Sequence, residues 1–193
     1  DLSFNGDGTR MFVLGGNSVH EYSLTSPFDT STFNVTYTGN TLDANPQANF
    51  LEGLHVNSDV SRVYVNGRDL TVAGDAVYQY NLTPGDDIST ASFNRDVSVN
   101  DETTSPEGVV LSDDGLRMYV AGRTSFYQYD LNTPFEIQSS FSGNSRIASL
   151  RILKGLTISP DGTRIYVTGP IDFQNDDRSA VRQFNLTTPF ELV

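Results

Sequence analysis

The sequence predicts an all-β protein assembled from four copies of one antiparallel, four-stranded unit, the last copy lacking its outer strand. Three observations carry this. An Asp-centred turn string recurs at Asp7, Asp59, Asp114 and Asp161, at intervals of 52, 55 and 47 residues. Each turn joins two short, apolar, β-branched or aromatic runs, and a third run follows. No segment sustains a 3.6-residue apolar period over a helical length. Short strands repeating every ~40–55 residues are the pattern of a β-propeller, in which no unit buries both faces until neighbours cover it.

The innermost strand opens each unit: Leu2-Ser3-Phe4, Gly53–Val56, Gly108–Leu111 and Gly155–Ile158. The turns "NGDGT", "NSDVS", "SDDGL" and "SPDGT" come next. Asp-Gly favours a tight hairpin because Gly takes φ > 0 without penalty and Asp tolerates it. Val60 stands where the other copies have Gly, so the second turn is expected to differ locally. The second strand begins at Arg10, Arg62, Arg117 and Arg164 and reads Met-Phe-Val, Val-Tyr-Val, Met-Tyr-Val and Ile-Tyr-Val. Alternate side chains point to opposite faces, and both faces are apolar, so each sheet is expected to be covered on both sides. Each aligned arginine is expected to pair with a turn Asp or a backbone carbonyl of its own or a neighbouring blade.

The third strand reads "SVHEYSL", "AVYQYNL", "SFYQYDL" and "AVRQFNL". A Pro-Phe corner follows at Pro27-Phe28, Pro134-Phe135 and Pro189-Phe190, with Pro84-Gly85 in the second copy. A more polar fourth strand, suited to an outer edge, is expected near Phe33 to Thr38, Ser92 to Val99 and Ile137 to Phe141. The repeats divide a single domain at about 1–50, 51–105, 106–153 and 154–193. The chain opens inside a repeat without an initiator Met, as expected of a mature or trimmed product, and shows no signal peptide.

The string "SPDGTRIYVTG" resembles the repeat of the YVTN-type β-propellers and, more loosely, the WD40-like PD repeats. "LSDDGLRMYVAG" and "FNGDGTRMFVLG" match it well, "VNSDVSRVYVNG" less so. The resemblance spans all four units. It implies four-stranded blades around a central channel, in a family found in surface-layer and secreted proteins, with similar propellers among lactonases and other enzymes. A fold resemblance does not assign a function. Closure of four blades alone is uncommon. The expectation is an incomplete arc of a larger propeller, or a unit completed by another copy, with an apolar blade face that demands a partner.

Composition narrows the function classes. The formal charge is −12, and of 12 basic residues only Lys154 is Lys. Nucleic acid and anionic membranes need a positive patch, so neither is an expected partner. No apolar run approaches the ~20 residues of a membrane span. With no cysteine, disulfides, thiolate ligands and a cysteine nucleophile are excluded. Nine Tyr and twelve Phe argue against disorder.

Candidate sites lie where the copies disagree. Glu52, Glu107 and Lys154 precede the innermost-strand glycines, near an expected channel mouth. The two carboxylates there would bind Ca²⁺, act as acid and base in a lactonase-like site, or pair with Lys154 or an Arg. His20 sits in a column of Tyr78, Tyr127 and Arg182 and reads as a packing residue. Strand alternation sets His55 and Glu52 on opposite faces, and two isolated histidines do not make a zinc site. There is no Gly-x-Ser-x-Gly nucleophile elbow. The loop "GPIDFQNDDRSA" offers Asp172, Asn175, Asp176 and Asp177 as a weak Ca²⁺ site or a plain acidic loop; no cofactor is required elsewhere. The corresponding loop of the second copy carries Asp69 and Asp75. Asn34, Asn81 and Asn185 head N-glycosylation sequons, although Asn-Leu-Thr also reads as strand-end chemistry, which Asp130-Leu131-Asn132 supplies in the third copy.

These features favour a non-enzymatic propeller module, exported or at a cell surface, binding a protein or carbohydrate partner through loops and channel mouth. A structural subunit of a surface layer or fibre, self-associating through exposed blade edges, is the first alternative. A metal-assisted lactonase or hydrolase using Glu52 and Glu107 is the second.

Overall fold

A computed structural model describes residues 1–192 other than 46, 70–73, 84, 86, 139–140, 148–152 and 171–178. The chain is all-β and forms four antiparallel sheets, arranged as propeller blades. Blade 1 holds β1 (Leu2–Phe4), β2 (Arg10–Gly15), β3 (Ser18–Leu24) and β4 (Val35–Asp43). Blade 2 holds β5 (Asn49–Val56), β6 (Arg62–Asp69), β7 (Gly74–Asn81) and β8 (Ser92–Ser98). Blade 3 holds β9 (Gly108–Leu111), β10 (Arg117–Ala121), β11 (Ser125–Asp130) and β12 (Phe141–Ile147). Blade 4 holds β13 (Gly155–Ile158), β14 (Arg164–Pro170) and β15 (Ser179–Asn185). Within each blade the strands follow one another as a meander, innermost first.

The turns behave as the repeat implies. Asp7, Asp59, Asp114 and Asp161 accept the N–H two residues on, at 2.9–3.0 Å. Asn5, Asn57, Ser112 and Ser159 accept the N–H of the following strand's Arg, at 2.8–2.9 Å. Hydrogen bonds from the Ser159 hydroxyl, then from Thr163, hold the Asp161 carboxyl down at about 2. The second turn is not locally different: Val60 adopts the same left-handed backbone, φ 59°, as Gly8, Gly115 and Gly162 at φ 67–71°. The reason lies at the corner. A Cβ on Gly8, Gly115 or Gly162 would come within 2.3–2.6 Å of the Phe28, Phe135 or Phe190 ring. Blade 2 has no corner phenylalanine to meet such a Cβ, and Val60 is buried there.

Two outer strands lie later than the sequence suggests. β4 begins at Val35, because Asn34 is held in the preceding loop by Thr25, Asp29 and Ser31. β12 begins at Phe141, because Ile137 is taken into the core between blades 2 and 3.

Three apolar clusters join blade 1 to 2, 2 to 3 and 3 to 4. Among the described residues none joins blade 4 to blade 1. Polar groups cross the same seams in a repeated latch. Tyr64 and Tyr119, in the second strands of blades 2 and 3, donate their hydroxyls to the carbonyls of Phe135 and Phe190 on the next blade's corner, at 2.6 and 2.7 Å. Beside them, Gln79 and Gln128 accept the N–H of Ile137 and Leu192, at 3.0 and 2.7 Å. Arg62 and Arg117 pair with Glu136 and Glu191, at 2.9 and 2.6 Å. For Arg62 and Arg117 the main partner is therefore the next blade's corner carboxylate, not a turn Asp, and each also donates to the carbonyl just before it, as expected, whereas Arg10 pairs with Glu21 of its own blade. The corner phenylalanines hold φ 58–63°, a conformation that costs ~1–3 kcal/mol for such a residue and that presents their carbonyls to the neighbour. Burial raises the Tyr64 and Tyr119 hydroxyls well above the ordinary tyrosine range, so both remain donors.

Replacing Tyr64 or Tyr119 by Phe leaves a buried carbonyl without its donor. Each change is expected to lower unfolding free energy by about 1–2 kcal/mol, read by urea titration.

Candidate functional site

A cavity of about 620 Å³ opens where the innermost strands turn into the second strands, and all four blades contribute to it. Such a volume falls within the range of small-ligand and peptide pockets. Ser3, His55, Asp113 and Thr157 supply polar lining, and Phe4, Phe28 and Phe135 supply aromatic faces. Asn5, Asn57 and Ser112 also line this region, but they hold the turns. His55 lies on β5 opposite Tyr64, with ring centroids 5.9 Å apart. Burial among the blades pushes its pKa down to about 4, so the imidazole is neutral at pH 7. Asp113 is the one carboxylate among the lining residues.

The sequence-derived channel-mouth residues do not belong to this cavity. Glu107 and Lys154 sit at the starts of β9 and β13, whereas the cavity lies at the opposite ends of these strands. Glu107 is only 5% exposed. It accepts from Lys154 at 2.6 Å and from the Ser105 hydroxyl at 2.9 Å, and the Arg68 guanidinium stands 3.9 Å away. Arg68 in turn donates to Ser105. Glu107 thus ties blade 3 to blades 2 and 4 and holds no coordination site open.

Glu52 lies in an irregular stretch of β5. The β5–β6 register shifts on both sides of Leu51, and Glu52 falls in the second shift, between the pairs Leu51↔Gly67 and Gly53↔Asn66. It does not start its strand, and the simple alternation that sets it opposite His55 is interrupted there. Asn66, fully buried beside Gly53, has no partner for its side-chain amide among the described residues; groups of this kind are commonly satisfied by ordered water.

His20 bonds to Thr41 at 3.1 Å and meets the Tyr37 ring edge-on, which is a packing role. No group of three or more His, Asp or Glu that could hold a metal ion occurs among the described residues. Asp172, Asn175, Asp176 and Asp177 lie outside the described residues. Asp75 belongs to no such group among the described residues; burial raises its carboxyl pKa. Of the sequon residues, Asn34 uses its amide nitrogen within its own loop. Asn81 and Asn185 accept from Gln79 and Gln183, at 2.9 and 2.7 Å, and Asp130 accepts from Gln128 at 3.0 Å in the same way. Sequence reasoning missed His55 as a cavity residue, since its signal was only its rarity. It also missed Arg68 and Ser105, which no motif marks.

No family model and no curated protein matches the chain. Solved structures do resemble it. A Kuenenia stuttgartiensis hydrazine synthase matches with TM-score 0.60 and 18% identity, over 95% of this chain and 45% of that one. A functionally unknown protein from Desulfotomaculum acetoxidans matches with TM-score 0.59 and 10% identity, over 98% and 56%. A candidate 6-phosphogluconolactonase from Bacteroides uniformis matches with TM-score 0.56 and 12% identity, over 94% and 51%. At these identities the likeness is one of fold. The chain spans about half the length of the proteins it matches.

Two outcomes test this arrangement. NMR titration is expected to give His55 a pKa near 4. Because the unfolded imidazole takes up its proton near 6.5 and the folded one does not, stability falls as pH drops from about 6.5 to about 4, and His55→Gln removes that component. Separately, Glu107→Ala is expected to cost about 2–3 kcal/mol and Glu52→Ala less than about 0.5, by chemical denaturation.

Proposed function

We propose that this chain is a non-enzymatic recognition module of an exported or cell-surface protein, and that its cavity receives an uncharged polar segment of a carbohydrate or protein partner. The observation that carries this reading is the cavity itself, built by the turns of all four blades and lined by hydroxyls, a neutral imidazole, one carboxylate and three phenylalanine rings. Hydroxyls and imidazole nitrogens exchange hydrogen bonds with neutral polar groups, and aromatic faces cover the apolar side of a sugar or side chain. The turns that form the lining are fixed by their own Asp, Asn and Ser side chains, so the cavity is formed before a partner arrives. An acidic surface with a single Lys suits a partner that is neither nucleic acid nor an anionic membrane. A hydrolase built on Glu52 and Glu107 is disfavoured, because Glu107 is already committed to Lys154 and Ser105.

The test is an NMR titration of the labelled protein with neutral oligosaccharides and short polar peptides. Shifts centred on Phe4, His55, Ser112 and Thr157 are expected for one member of the panel. Shifts confined to surfaces away from the cavity, or none across the panel, would contradict the reading.

A further inference from the structure

We propose that a second copy of this chain seats its blade 1 on the outer face of blade 4, using the latch that joins blades within the chain. Blade 4 carries the donor half complete. Tyr166 pairs across strands with Gln183, as Tyr64 does with Gln79 and Tyr119 with Gln128. Gln183 is preset by its bond to Asn185, yet its amide oxygen receives no N–H among the described residues. Among the described residues the Tyr166 hydroxyl likewise reaches no carbonyl and the Arg164 guanidinium makes no ion pair. Val181 on the same face is 68% exposed, whereas its counterparts Val77 and Phe126 are 0% exposed.

Blade 1 carries the acceptor half. Phe28 holds φ 58° and donates its N–H to the Gly8 carbonyl at 2.9 Å, matching Phe135 and Phe190 at φ 62° and 63° and 2.9 and 2.8 Å. Its carbonyl therefore stands ready for a tyrosine hydroxyl. Asp29 follows it, opposite in charge to Arg164, and Thr30 offers the N–H that the glutamine oxygen takes elsewhere. Leu2, Phe28 and Tyr37 leave this face apolar and exposed. Asp29 and Thr30 stand where the internal corners have Glu and Ile or Leu. Asp29 is one methylene shorter and is held by the Ser31 N–H at 2.9 Å, so this junction is weaker than the internal ones. The contact is head-to-tail, which closes into a ring or continues as a filament according to its rotation.

Sedimentation equilibrium of the 193-residue chain tests this. The expected mass is twice 21.2 kDa or a higher multiple at high concentration. Tyr166→Phe combined with Gln183→Ala should keep the fold, read by circular dichroism and melting, and weaken association by about tenfold or more. Asp29→Glu with Thr30→Leu restores the internal corner sequence and should tighten association by a similar factor. A 21.2 kDa monomer at the highest soluble concentration overturns the proposal. So does an oligomer that neither pair of substitutions alters.

Discussion

A propeller blade leaves polar backbone at its seams, and this chain meets that constraint with side chains from the neighbour. The corners after the third strands of blades 3 and 4 hold a left-handed Phe whose carbonyl, and the N–H two residues later, face the preceding blade. Buried groups of this kind must be paired. In the seams between blades 2 and 3 and between 3 and 4, Tyr, Gln and Arg of one blade satisfy the carbonyl, N–H and carboxylate of the next. The apolar clusters supply area, and the latch fixes how each blade sits on the next. Because the two halves belong to different blades, neither is satisfied until both are folded.

The seam between blades 1 and 2 meets the same requirement with other residues. Phe12 replaces the tyrosine, so no hydroxyl is offered, and the corner carries no phenylalanine. Glu21 replaces the glutamine. One of its oxygens accepts the Ile88 N–H at 2.9 Å, and the other pairs with Arg10 at 3.0 Å. The carboxylate that the next corner supplies elsewhere is thus moved onto the third strand. With the corner ring gone, Val60 occupies the space above the turn. Four departures from the repeat become one repacked seam.

Much of this fold was legible in the sequence because its signals are local. Asp-Gly turns, the Arg-Met/Ile/Val-Tyr-Val strand and the alternating third strand each act over a few residues. The latch was not legible as a latch, though its residues stood in visible columns. Its partners are 58 to 74 residues apart, and no local preference links Tyr119 to the Phe190 carbonyl. The Glu/Glu/Lys column drew attention for its charge, but charge alone could not show that Glu107 is consumed by Lys154 and Ser105. The β5 irregularity that removes Glu52 from register follows from packing around Gly53 and Gly67, which a period-two reading does not see. The cavity follows from the placement of four turns on one side, and His55 enters it by position, not by motif.

The latch is most directly tested by native-state hydrogen exchange at the amides of Ile88, Ile137 and Leu192. Each lies just outside regular strand structure, and each donates to a side chain of the preceding blade. If those bonds hold the seams, all three amides exchange as slowly as the core amides of β6 and β10, opening only with global unfolding. Exchange at the rates of exposed loop amides, with β6 and β10 still protected, would show that the blades are held by apolar packing alone and would contradict this account.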